Sequence, residues 1–282
     1  LRPRLGEMLT DMLITMTDRG PDSAGIAIYG AEGAGVKITV QSDDPSAFDG
    51  LDAVLSDVTG TEVAMRVIDT HAVLSLPEAA ADAAVAALEE RGLRVMARGA
   101  SMEIFKEIGL PRDVAARFNL RDMGGSHGIG HTRMATESDV DIRSAHPYWA
   151  FPYNDVAVVH NGQITNYWLK RRQMEKKGHR FMSSCDSELL AVYTADNLAN
   201  GATLEDSLKS SIEEIDGVFT YLVATKDQLG MAKDTMAAKP LVLYESDDMI
   251  AMASEEVAIR AILPQEIDTT DPYDEEVRVW QA

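Results

Sequence analysis

The sequence predicts an α+β fold, and three observations carry that expectation. Short apolar runs of strand length follow one another in series, helical periodicities are gathered in stretches of their own, and glycines punctuate the joins. Hairpins in series, with helices set apart, favour a sandwich over a doubly wound parallel sheet. No internal repeat is visible.

The elements follow in chain order. Leu5, Met8, Leu9, Met12, Leu13 and Met16 share one helical face over residues 5–18, and Arg19-Gly20-Pro21 stops the helix. Residues 24–29 and 36–40 read as strands closed into a hairpin by the glycine-rich turn 30–35. One or two strands lie within 61–76, an alanine-rich helix over 78–91 ends at Gly92, and 93–98 is a strand. Residues 42–125 are therefore expected to be an inserted β-α-β block within a single domain spanning 1–282. Beyond Gly128 the expected order is a strand at 156–159, helices at 166–177, 186–198 and 204–215, then strands at 218–225, 229–233, 241–245 and 249–253.

Composition narrows the function classes. The 282 residues, 45% of them hydrophobic, suffice for a sizeable core. A net charge of −20 repels a phosphate backbone, and no Lys/Arg stripe stands out as a local exception. The longest apolar stretches, such as 79–88, broken by Asp82, fall short of the roughly 20 residues that span a bilayer. Nucleic acid and membrane are thus not expected partners. The single cysteine, Cys185, suits a reducing cytoplasm, and no targeting peptide is read from Leu1 onward.

Three sites carry chemistry. Arg133, just past a strand and beside small residues, can offer a bidentate fork to a carboxylate; the plainer alternative is a salt bridge. In "AVVHNGQITNY" the strand leads through His160-Asn161-Gly162 toward a helix with Thr165 as its expected N-cap. The Asn161 amide and the Gly162 backbone N–H can then point at one oxyanion, unless they form an ordinary strand-to-helix connection. Asp186 opens a helix, either as its N-cap or as the acceptor for a substrate ammonium. Together these residues describe a pocket for an α-amino acid whose side-chain carbonyl is held, glutamine or something close to it.

Five stretches now carry a resemblance: "RGPDSAG", "GIGHTRMAT", "SAHPY", "HNGQITNY" and "CDSELL", in that order, with "MAKDTMAAKPLVL" and "ASEEVAI" after them. The chain resembles the class II glutamine amidotransferases, whose glutaminase domain is an N-terminal nucleophile hydrolase. The resemblance implies a four-layer αββα sandwich of two antiparallel sheets between helices. It also implies that Arg133 binds the substrate carboxylate, Asp186 the amino group, and Asn161 with Gly162 the oxyanion, while Thr136 and Arg19 complete the substrate site. Arg19 and Asp22 would brace the nucleophile's loop, and His131, Thr132 and His146 would act mainly in packing and positioning.

Within the family the stand-alone size, the inserted block and the wording "SMEIFKEIGLP" are most similar to the amidotransferase-like subunit of glutamate-synthase-type complexes, N-methylglutamate synthase (methylamine-glutamate N-methyltransferase) in particular. That implies glutamate-synthase-like partner subunits carrying FMN, with or without an iron–sulfur cluster, and no cofactor in this chain. The departures are as specific. The family's nucleophile is an N-terminal cysteine whose own amine is the general base, whereas this sequence opens on Leu1, and Met134, Glu137 and Ser138 stand where the family often has an aromatic residue and a His-Gly pair. The expectation is an amidotransferase-type enzyme subunit with its nucleophile upstream of Leu1, forming a thioester and passing ammonia or an amine to a partner. The alternative is a catalytically inactive amino-acid-binding or scaffolding subunit. A hydrolase acting through Cys185 is the third possibility, with a buried structural thiol set against it.

Overall fold

The computed structural model describes residues 3–33, 35–134 and 140–282. They form an α+β fold with several antiparallel sheets. β1 (Ser23–Tyr29) is the middle strand of a three-stranded sheet, between β6 (Met102–Ile108) and β7 (His127–Arg133). β2 (Val36–Gln41) lies elsewhere, between β4 (His71–Leu76) and β5 (Arg94–Gly99), with β3 (Ala64–Ile68) outside β4. The expected hairpin of residues 24–29 and 36–40 does not form. Both edges of β1 are already paired, with β6 and with β7, so the 30–35 connection crosses from one sheet to another.

A five-stranded sheet follows, in the order β14 (Val277–Gln281), β11 (Gln228–Lys233), β10 (Gly217–Ala224), β9 (Ala157–Ile164), β8 (Tyr148–Trp149). β12 (Val242–Glu245) and β13 (Ile250–Ala253) form a separate ribbon. The helices are α1 (Leu5–Thr15), α2 (Leu51–Thr59), α3 (Ala81–Glu90), α4 (Pro111–Arg117), α5 (Tyr167–Lys176), α6 (Ser187–Ala199), α7 (Leu204–Glu214) and α8 (Glu256–Ile262). None is long and apolar enough to cross a membrane. Within 42–125, β3, β4 and β5 join β2 in one sheet with α2 and α3 packed together beside it, while β6 returns to pair with β1.

Strand alternation explains how the layers bury themselves. Successive β1 side chains face opposite ways: Ala24, Ile26 and Ile28 pack with Leu13 of α1 and Val114 of α4, whereas Ala27 and Tyr29 pack toward Ala157 and Val159 of β9. Val158 points to the other side of β9, against Leu189, Leu190 and Val192 of α6. Helix α6 is buried without interruption from Ser187 to Asp196, because β9 lies beneath it and α5 and α7 flank it. A helix enclosed on all sides carries no amphipathic stripe, and its sequence "SELLAVYTAD" shows none. Tyr29 fastens the layers, its hydroxyl donating to the Ala224 carbonyl of β10 at 2.7 Å.

Candidate functional site

A cavity of about 730 Å³ opens where the ends of β7 and β9 meet. Every residue from Ser126 to Met134 lines it, along with Arg19, His146, His160, Asn161, Gly162 and Ser187. Met8, Leu9 and Met12 of α1 and Ile250 and Met252 of β13 also line it, together with Glu245, Asp247 and Asp248. The helical stripe read from the sequence, Leu5 to Met16, therefore lines this cavity.

Arg133 ends β7 opposite Ser23 of β1 and is only 8% exposed. Its carbonyl accepts the Asp22 N–H at 3.0 Å. Gly20 permits this approach, because a Cβ there would overlap the backbone of Thr132 and Arg133. Arg19 also lines the cavity, with Nη1 donating to Glu255 Oε1 at 2.8 Å, a tie to the start of α8. Thr136, Glu137 and Ser138 lie outside the described residues.

Asn161 and Gly162 are not in a turn. β9 runs on to Ile164, with Asn161 opposite Thr220 and Gly162 opposite Phe219 of β10, and the helix is capped at Asn166 rather than Thr165. The cross-strand partner on β10, invisible to local reading, keeps the chain extended through the Asn-Gly step. Gly162 has φ +147°, and a Cβ would collide with the Val218 carbonyl oxygen and crowd His160 Nε2. No side chain fits there.

Asp186 sits behind this wall rather than in it. It precedes α6 without capping it by side chain. Its Oδ2 instead accepts the Ile164 N–H at 2.8 Å, and Oδ1 lies 3.4 Å from Ser187 Oγ. Ser187 is gripped from two sides, by His160 Nδ1 at 2.8 Å and His146 Nε2 at 3.0 Å, and the His146 ring stacks on His131 with centroids 4.0 Å apart. Burial lowers His131 to about 3, helped by repulsion from His160, and lowers His160 to about 4 against the pull of Asp186. His146 is pushed well below the ordinary histidine value, again chiefly by burial. All three rings are neutral at pH 7, so the 4.0 Å approach of His160 to Asp186 is not an ion pair.

His131 and His146 were expected to pack and position, but His160 and Ser187, which join them into this cluster, were not singled out from the sequence. His160 and Ser187 each adjoin a nominated residue, but 27 positions separate them and only the β9–α6 packing joins them. Lys106 supports the cluster from β6: Nζ donates to the carbonyls of Ala145 at 2.7 Å and Pro147 at 3.1 Å, holding the backbone on either side of His146.

A model of the glutamine amidotransferase domain matches residues 131–261, the part of the chain that holds Arg133, Asn161, Gly162 and Asp186. The chain is 43% identical, over its whole length and 91% of the relative's, to the glutamine amidotransferase-like protein GlxB of Rhizobium meliloti. This chain belongs to the class II glutamine amidotransferases. The amidotransferase domain is also 36% identical to a putative glutamine amidotransferase of Methanothermobacter thermautotrophicus, across 98% of this chain and 94% of that one. Its fold resembles glutamine phosphoribosylpyrophosphate amidotransferase from B. subtilis, with a TM-score of 0.65 at 18% identity, covering 99% of this chain and 45% of that one. The allosteric regulatory enzyme of purine biosynthesis aligns equally well, at TM-score 0.66, and there too this domain spans under half of the longer chain.

The expected amidotransferase-type enzyme activity requires a correction. The sequence has one cysteine, Cys185, in mid-chain and far from the N-terminus. In mid-chain it has no free α-amine of its own, burial pushes its pKa up, and its sulfur rests 3.6 Å from both Asp186 Oδ1 and Ser187 Oγ. A thiol held protonated beside a carboxylate is a poor nucleophile. Nor do the described residues gather three or more side chains able to hold a metal ion. Among the described residues, then, the one thiol is half-buried and held protonated.

Proposed function

We propose that this chain is a non-catalytic, amino-acid-binding or scaffolding module of the class II amidotransferase type. One observation carries the reading: Arg133, Asn161 and Gly162 line one cavity while the sole thiol is protonated and tucked behind Asp186. In this reading the Arg133 guanidinium holds the carboxylate of glutamine or a glutamate-like amino acid, as a planar fork fits a planar anion. The Asn161 amide and Gly162 N–H take the side-chain carbonyl, Arg19 supports the carboxylate end, and Thr136 belongs to the same substrate set. Asp186, behind the cavity wall, is assigned the amino group; its Oδ1, which accepts from Ser187 Oγ at 3.4 Å and Cys185 Sγ at 3.6 Å, is the oxygen not bonded to Ile164. The neutral histidines hold the wall without adding charge.

The finer assignments belong to the same proposal. The architecture is the four-layer αββα type with residues 42–125 as an insertion, and the partners are glutamate-synthase-like subunits, as in N-methylglutamate synthase. Any FMN or iron–sulfur cluster sits on those subunits. The test is calorimetric titration of the purified chain with L-glutamine and L-glutamate, run beside an ammonia-release assay. Binding without ammonia release is expected. Glutamine hydrolysis that disappears in Cys185→Ser, or no binding of either amino acid, would overturn the reading.

A further inference from the structure

Contrary to the expectation of no local basic stripe, six lysines and arginines accompany a single acid, Glu175, between Lys170 and Arg180 of this strongly acidic chain. Four of them are engaged. Lys170 bonds Glu214 at 2.9 Å, Arg171 bonds Glu175 at 2.9 Å, Lys177 bonds Asp196 at 2.9 Å, and Arg180 bonds Glu89 at 2.6 Å. Arg172 donates to the Trp168 carbonyl of its own helix, and among the described residues neither it nor Lys176 forms an ion pair.

These two cations share the open face of α5 with the chain's most exposed tryptophan. Trp168 is 61% and Leu169 55% exposed, whereas Trp149 is 5%. Trp168, Leu169, Arg172, Gln173 and Lys176 are all exposed and fall at i, i+1, i+4, i+5 and i+8, one side of a helix. Adjacent large apolar groups left in water inside a charged rim mark a binding surface, and tryptophan and arginine are the residues that most often dominate one. Arg171, at 6.0 Å from the Trp168 ring, helps hold the indole in place.

We infer that the exposed face of α5 docks a partner protein presenting an acidic rim around an apolar pocket. Charge complementarity selects that occupant. A symmetric dimer centred on this face would pack one basic surface against another, with Glu175 the only acid between Lys170 and Arg180 to offset the charge. An anionic membrane or nucleic acid would meet the patch but also the −20 charge of the whole chain. The location connects docking to the cavity without resting on what the cavity binds. α5 starts three residues after the end of β9, which carries Asn161 and Gly162, and Arg171 donates to the Ser183 carbonyl at 2.7 Å, just before Asp186.

The test places a photo-crosslinking residue at Gln173 of the full chain in its native cell, with a control at exposed Asp57 of α2. The expected result is one protein crosslinked from position 173, attached through an acidic segment. Its co-purification should fall at least tenfold in R172E/K176E and in Trp168→Ala, return when the partner's acids are reversed to lysine, and weaken in high salt. Unchanged unfolding midpoints in these variants show that exposed residues were altered without loss of fold. A crosslink only to a second copy of this chain, no crosslink beyond the Asp57 control, or a partner indifferent to R172E/K176E would each refute the inference. So would Trp168-dependent co-sedimentation with phosphatidylserine vesicles in place of a protein crosslink.

Discussion

Asp186 Oδ2 accepts the backbone N–H of Ile164 at 2.8 Å, tying the start of α6 to the end of β9. The carboxylate thereby holds the fold with one oxygen and faces Cys185 and Ser187 with the other. The proposal gives this structural residue a ligand role as well, and variants can separate the two. Asp186→Ala should destabilise the protein by about 1.5–3 kcal/mol, the range for a hydrogen bond to a charged group, with the Ile164 N–H left unsatisfied. Asp186→Asn retains an acceptor and should lose about 1 kcal/mol or less in urea denaturation, yet bind amino acid poorly. Full binding by a stable Asp186→Asn would remove the carboxylate from the ligand site.

Arg133 is expected to govern ligand affinity. Arg133→Lys keeps the charge but not the fork, so titration calorimetry with glutamine should show at least about tenfold weaker binding, in line with about 1.5–3 kcal/mol for charge-assisted bonds. Equal affinity in the lysine variant would mean that no carboxylate is gripped there.

Gly162→Ala should cost about 1–3 kcal/mol or more, because its φ of +147° and the Val218 carbonyl both oppose a Cβ. Thermal unfolding measures this directly. An alanine variant as stable as the parent would show that β9 and β10 can part at this point.

Buried neutral histidines set a pH dependence. Folding lowers His131 to about 3 and His160 to about 4, below the ordinary value of 6.5. The unfolded chain therefore binds more protons in the window from about 6.5 down to those values. Their stabilising contribution is complete above pH 6.5 and is lost as pH falls, by up to about 1.4 kcal/mol per pH unit for each histidine. Urea midpoints at pH 7.5, 6 and 5 should decline, and His160→Gln should flatten the slope. A midpoint constant over that range would contradict burial of these rings.

Cys185 should be slow to alkylate. Its raised pKa leaves little thiolate at neutral pH, so iodoacetamide should label the native chain far more slowly than the urea-unfolded one. Equal rates would indicate an accessible, activated thiol.

The sequence by itself determined the α+β class and most helices, and nominated Arg19, Arg133, Asn161 and Gly162, which the fold brings to one cavity, since periodicity, caps and motif wording are local properties. It also held the single cysteine, Cys185, placed in mid-chain. Tertiary structure decided what local pattern cannot encode: that β1 pairs with β6 and β7 instead of β2, and that β10 keeps Asn161 and Gly162 extended. It likewise turned Asp186 from a helix cap into a clasp for Ile164 and brought His146 and His160 onto one serine. Hydrogen-bond partners across sheets are chosen by which edges remain unpaired once all strands are placed, and that competition is settled only by the whole chain.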